Sequence, residues 1–190
     1  MKRREVIKLV ALSTGAALST PLISSLVTGC TTKEVKKNSG DYQLVFFDKD
    51  DYLLVQQLLD IILPKSDSPS ATEIGVDQMI DTVVGKTYTA EDKELYLNNF
   101  KDLQKYLNEQ GDFLKADELS KIQFLDELSR SKEESLANAK QAFIDLKQQA
   151  VSYYLSSEEI ATKYLNYLPV PGKYEPCISV EQVDNIAWAL

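Results

Sequence analysis

Histidine is absent from all 190 residues. That removes the side chain most used for zinc and haem ligation and for proton transfer near neutral pH. Two cysteines exclude a disulfide framework, and seven glycines with six prolines exclude collagen-like and Pro/Gly-disordered chains. There is no glycine-rich dinucleotide fingerprint, no P-loop and no Cys-x-x-Cys-His haem site, so the chain offers no place of its own for a flavin, nucleotide or covalent haem. What is present, 44% hydrophobic and 26% charged residues, fits one globular domain held together by a buried core.

The first eight residues carry Lys2, Arg3, Arg4 and Lys8 against Glu5, and Leu9 to Gly29 contain no charge. A basic start followed by an apolar stretch is the pattern of an export signal. Ser13, Thr14, Gly15, Ser19, Thr20 and Pro21 dilute the stretch, which makes it a poor membrane span and favours removal by a peptidase. It ends in Leu26-Val27-Thr28-Gly29-Cys30, which resembles a bacterial lipobox with Cys30 as the acylated first mature residue. The other reading is a free cysteine beside an ordinary cleavage site. Arg3-Arg4-Glu5-Val6-Ile7-Lys8 also resembles a twin-arginine signal, with Lys2 where Ser or Thr is usual and Val6 where Phe is usual. Twin-arginine and general secretory export both stay open. The expected organisation is a cleaved leader at 1–29, a lipidated tether at 30–41 and a domain at 42–190. Without residues 1–29 the chain keeps 17 bases and 28 acids, net −11, which disfavours nucleic acids and anionic headgroups. Acyl chains hold a protein at a membrane without an amphipathic anchor, so the expected place is the periplasmic face of a bacterial membrane.

Beyond the tether, apolar residues recur at helical spacing. Asp48 is placed to cap a first helix, with Phe46 and Phe47 set for a hydrophobic staple and Pro64 as its stop. That helix is apolar on most sides (Leu53, Leu54, Val55, Leu58, Leu59, Ile61, Ile62) and belongs at the centre. Val76, Met79, Ile80, Val83 and Val84 mark a second helix. Tyr96, Phe100, Leu103 and Leu107 mark a third, capped near Thr89 and closed by Gly111. Leu119, Ile122, Leu125 and Leu128 mark a fourth. Leu136, Ala139, Phe143, Leu146, Ala150 and Tyr153 mark a fifth that packs on a partner helix. Ser156 and Glu159 have capping-box spacing for a sixth. The fold class is all-α: one compact bundle of about six helices. Three of the six prolines fall between Pro169 and Pro176, so an extended Pro-rich segment is expected to lie over the bundle as a recognition strap.

The ordered stretches Leu58-Leu59-Asp60-Ile61-Ile62-Leu63-Pro64, Asp67-Ser68-Pro69-Ser70-Ala71, Gly75-Val76 with Ile80-Asp81, Tyr153-Tyr154 with Ser156, and Tyr167-Leu168-Pro169-Val170-Pro171-Gly172-Lys173-Tyr174 resemble the gluconate 2-dehydrogenase subunit 3 family. Ser68-Pro69-Ser70-Ala71 replaces the family's usual Thr-Pro-Gly-Ala, and Ser152 replaces a usual Gly. The resemblance implies a noncatalytic small subunit that assembles with, and helps export, an FAD-dependent dehydrogenase large subunit of the glucose-methanol-choline type, often with a cytochrome c subunit. No cofactor is expected in this chain; FAD is expected in the partner. No catalytic residue and no metal ligand is expected. Candidate interface residues are Tyr153, Tyr154, Tyr167, Pro169, Pro171, Gly172 and Tyr174, although aromatics at helical spacing also serve as core.

Two other functions compete. One is a free-standing lipoprotein that binds a small ligand such as a sugar. The other is a hydrolase using carboxylates, but Asp50-Asp51, Glu133-Glu134 and Glu158-Glu159 are adjacent in sequence, and neighbours on a helix do not face each other across a pocket. Cys177 reads as a packed cysteine, with pairing to another chain as the alternative.

Overall fold

A computed structural model of the chain describes residues 42–111, 113–170, 172–173 and 177–189. The leader, Arg3, Arg4, Cys30 and the tether lie outside these residues, as do Pro171 and Tyr174. The described residues contain six α-helices and no strand: α1 (Lys49–Ile62), α2 (Val76–Thr87), α3 (Ala90–Glu109), α4 (Glu118–Arg130), α5 (Ala137–Ser156) and α6 (Glu158–Lys163). None of them is long and apolar enough to cross a membrane.

Short polar side chains start three of the helices by accepting from free backbone N–H groups of the first turn. Asp48 accepts from Asp50 and Asp51 at 3.0 and 2.8 Å. Thr89 accepts from Asp92, and Asp117 from Ser120. Gly75 precedes α2 in the left-handed region, φ 79°, where glycine is unstrained. The sixth helix starts one residue later than the Ser156/Glu159 spacing suggests. Ser156 is the last residue of α5 and its hydroxyl bonds the Ser152 carbonyl, while Ser157 sits between the two helices. A capping box does form, at Ser179 and Gln182 ahead of a 3-10 turn, Val180–Val183.

The central element is α5, which packs against all five other helices, most extensively α3. Its buried face consists of Ala139, Ala142, Phe143, Leu146, Ala150 and Tyr154. Three alanines let neighbours approach, and the larger side chains fill the space between. The α1 helix, expected at the centre, buries Leu54, Val55, Leu58 and Leu59 but leaves Leu53 exposed. The α4 stripe is core only in its second half: Leu125 and Leu128 are buried, whereas Leu119 is 80% exposed and Ile122 is also exposed.

The aromatic pair ahead of α1 packs on α3. Phe47 is buried, and the Phe46 and Phe47 rings meet Tyr96 and Phe100 of α3, so they join the entry segment to α3. Cys177 is exposed and free, which corrects its reading as a packed cysteine.

Candidate functional site

The α2 helix buries Val76, Ile80 and Val84 as its apolar spacing suggests, but its inward face is rotated from Met79 and Val83 toward Asp77 and Asp81. Met79 is exposed and Val83 half-buried, while Val76, Asp77, Ile80, Asp81 and Val84 are buried. Two carboxylates one turn apart therefore lie inside the domain. Asp81 is 0% exposed. Its Oδ1 accepts from the backbone N–H of Phe46 and Phe47 at 3.0 and 2.8 Å, and its Oδ2 from Val45 N–H and the Tyr42 hydroxyl, both at 2.7 Å. Four donors on one carboxylate are what a buried charge requires, and they tie the entry segment to α2.

Asp77, 2% exposed, accepts on Oδ2 from the Tyr52 hydroxyl and Gln56 Nε2, both at 2.7 Å. Its Oδ1 has no partner among the described residues. Burial first, then the bond to Asp77, pushes the Tyr52 phenol well up. Burial likewise pushes Tyr42 up to about 12, opposed by a hydrogen bond with Thr82 and reinforced by Asp81. These phenols are held as neutral donors, and the carboxylates they bond hold the scaffold together.

The loop between α1 and α2 is closed from both sides. The Thr72 hydroxyl donates to Asp60 of α1 at 2.8 Å, and Ala71 N–H donates to the Leu63 carbonyl at 3.1 Å. From α5, the Tyr154 hydroxyl donates to the Pro69 carbonyl at 2.7 Å and lies 2.9 Å from Ser68 Oγ. On the outer side, Lys65 pairs with Glu73 at 2.6 Å.

A shallow depression of about 590 Å³ runs between α3 and α5, lined in part by Tyr88, Asp92, Tyr96, Asp145 and Gln149. Tyr96 donates to Gln149 Oε1 at 3.1 Å, and Gln149 Nε2 donates to the Tyr88 hydroxyl at 2.9 Å. Burial pushes the Tyr96 phenol well up, so this bridge is a fixed polar tie between helices. The acidic pairs lie elsewhere: Asp50-Asp51 and Glu158-Glu159 occupy first helical turns, where negative charge complements the helix dipole. No group of three or more potential metal-ligating acids or cysteines occurs among the described residues.

Stretches far apart in sequence, at Asp60, at Ser68 to Ala71 and at Tyr154, thus meet around one loop. The family model for gluconate 2-dehydrogenase subunit 3 matches residues 49–172, more than half of the chain. The chain belongs to this family. No curated protein and no solved structure matches it. The family description makes it a subunit of a dehydrogenase complex, an accessory role.

Within this subunit 3 chain, the expected interface residues have different fates. Tyr154 is buried, with its hydroxyl engaged by the loop, so it is core and not contact surface. Tyr153 is half-buried against the core. Tyr167, Pro169 and Gly172 are exposed.

Past Ala161 no described residue is buried, yet the backbone is pinned. Asn166 N–H donates to the Ala187 carbonyl and Ala189 N–H donates to the Asn166 carbonyl, both at 2.9 Å. The Asn166 side chain donates from Nδ2 to the carbonyls of Val183 and Ile186 at 3.1 and 2.8 Å. The described tail thus folds back on itself through a 3-10 turn. Asp184 and Asn185, at φ 53° and 60°, make the reversal in the left-handed region that Asp and Asn tolerate best after glycine. Sequence reasoning assigned no role to Asp77, Asp81 or Asn166, although Asp81 stands in a stretch that carries the family resemblance. The signal for the two acids was their i, i+4 spacing on an apolar face; Asn166 carried none.

Proposed function

We propose that this chain is a noncatalytic small subunit that binds an FAD-dependent sugar or sugar-acid dehydrogenase subunit, helps to assemble and export it, and holds it at the periplasmic face of a membrane through acylated Cys30. In this reading FAD and the redox chemistry belong to the partner, of the glucose-methanol-choline type, with a cytochrome c subunit as electron acceptor.

The observation that carries the reading is where apolar surface is exposed. Of the sixteen large apolar side chains exposed among the described residues, eight lie between Tyr164 and Trp188. Scattered exposed apolar residues are ordinary, but a concentration of them on one segment marks a surface that another molecule covers. Membership of a dehydrogenase subunit family supports a dehydrogenase subunit as that molecule. The test is purification from membranes in mild detergent. A flavin-containing chain is expected to accompany this one through successive columns. Recovery of this protein alone under every salt and detergent condition rules the reading out.

A further inference from the structure

Hydrogen bonding in the depression between α3 and α5 runs in one direction and stops at its wall. Tyr96 donates to Gln149 Oε1, and Gln149 Nε2 donates to the Tyr88 hydroxyl oxygen. Both polar atoms of the Gln149 amide are thereby engaged, and the Tyr88 hydroxyl hydrogen is left with no acceptor among the described residues. Two carboxylates of the lining are also only half used. Asp92 accepts from the Thr89 hydroxyl on Oδ2 at 2.7 Å, and Asp145 accepts from Gln141 Nε2 on Oδ1 at 2.7 Å. Among the described residues neither acid pairs with a base, and the side-chain amides of Asn99 and Gln148 make no hydrogen bond.

These groups reach one place because of helical spacing. Asp92, Leu95 and Asn99 stand at i, i+3 and i+7 on α3, and Asp145 and Gln148 stand at i and i+3 on α5, so each set shares a face. Tyr88, from the link between α2 and α3, completes the lining. The volume of about 590 Å³ falls within the range of about 300–1,000 Å³ typical of small-molecule clefts.

The lining selects the chemistry of an occupant. No lysine or arginine is among the described residues that line the depression, so an anion meets two carboxylates and nothing to offset them. An ammonium group is attracted by the acids but only donates, and it leaves the Tyr88 hydrogen and the amide NH2 groups without an acceptor. A hydroxyl both donates and accepts. Neighbouring hydroxyls on one molecule satisfy the acids and the free donors together. Leu95, 61% exposed, adds an apolar patch suited to the C–H groups between such hydroxyls.

We propose that this depression binds a neutral polyhydroxylated ligand, a pyranose either free or as a unit of a glycan chain. Asp92 and Asp145 accept from its hydroxyls, Tyr88, Asn99 and Gln148 donate to them, and Leu95 packs on its C–H groups. The site is open to solvent, so binding is weak and rapidly reversible. It involves no catalysis and no partner, and it stands or falls apart from the accessory-subunit reading, which copurification of a flavin-containing chain tests separately.

The full chain, purified in a polyoxyethylene detergent so that no detergent sugar competes, is tested by saturation-transfer NMR with glucose, maltotriose, gluconate and choline as probes. Saturable transfer to glucose or maltotriose is expected, with gluconate and choline bound more weakly than either. Asp145→Asn is expected to weaken glucose binding about 10-fold and Asn99→Ala about 3-fold, the effects of losing a charge-assisted and a neutral hydrogen bond. The thermal midpoint of both variants should match the parent, since neither residue belongs to the buried core. Glucose transfer that does not saturate, or that both substitutions leave unchanged, overturns the proposal. So does choline or gluconate binding more tightly than the neutral sugars, which would make the depression a cation or an anion site. Maltotriose binding more tightly than glucose upholds the proposal with a glycan chain as the source, and the reverse order upholds it with free sugar.

Discussion

Phe47 N–H donates to the Asp81 carboxylate over 2.8 Å, across 34 positions of sequence. The entry segment is thereby fastened to α2 by a charge that has no contact with solvent. A carboxylate accepting from three backbone N–H groups and a phenol cannot be replaced by an amide, because whichever end carries the NH2 group faces donors.

Asp81→Asn is therefore expected to destabilise the domain by about 3–5 kcal/mol, as when one partner of a buried charged network is removed. Asp77→Asn is expected to change stability by about 1 kcal/mol or less. Its carbonyl still accepts from Tyr52 and Gln56, its NH2 group lies where Oδ1 already lacks a partner, and a buried charge is removed. Urea denaturation of the two variants measures the difference. Equal stabilities would refute the assignment of Asp81 as the fastening group.

Alkaline pH probes the same network. Tyr42 has its folded value raised to about 12 from 10.0. The folded state then binds the proton more tightly than the unfolded state, so the stabilisation is complete below pH 10 and is lost as pH rises toward 12. Denaturation midpoints should fall through this window, and Tyr42→Phe should flatten the slope. A parent protein with no loss of stability between pH 10 and 12 would contradict the burial of this phenol.

Gly85 faces the entry segment from α2. A Cβ added there meets Val45 Cγ1 at 2.5 Å, Val45 Cβ at 3.1 Å and Phe46 Cβ at 3.3 Å. Gly85→Ala should thus destabilise by about 1–3 kcal/mol through overpacking, against the gain of about 1 kcal/mol that alanine brings to an open helix position. Adding Val45→Ala removes the nearest obstructing atoms and should recover most of the loss. A double-mutant cycle by thermal melting reads the coupling; additive effects would mean that the two sites do not touch.

A single hydroxyl from α5 ties the loop between α1 and α2 to that helix, beside the loop's own bonds to Asp60 and Leu63. Tyr154→Phe should lower stability by about 1–2 kcal/mol and speed tryptic cleavage after the exposed Lys65 well beyond what the global change explains. Cleavage no faster than at other exposed lysines would show that Asp60 and Glu73 hold the loop unaided.

Two changes outside the described residues test the export and anchoring proposals. Arg3→Lys with Arg4→Lys should stop export of this chain and of any flavoprotein that accompanies it; continued export of both disproves the twin-arginine step. Cys30→Ala should move the protein from the membrane to the soluble fraction through loss of the acyl chains, and cell fractionation decides it.

Helix content and the family were legible in the sequence because both rest on local order: Asp48 and Thr89 start helices with whatever core follows, and the matched stretches keep their chain order. Which face of a helix points inward was not local. Spacing alone offered Met79 and Val83 of α2 as core, yet Asp77 and Asp81 took inward positions because Tyr42, Tyr52, Gln56 and the backbone of residues 45–47 converge there from other parts of the chain. Leu119 and Ile122 fit the periodicity equally well and stayed outside, since α4 meets its neighbours through Leu125 and Leu128.

The sequence by itself determined the all-α class, the starts of α1 and α3 and the family, since caps, prolines and apolar periods act within a few residues of themselves. Only the tertiary structure decided that two carboxylates are buried, that Tyr154 is core and that Asn166 bonds the backbone at Val183 and Ile186. Each of these depends on donors and acceptors brought together from distant positions, and no local pattern encodes which of them will meet.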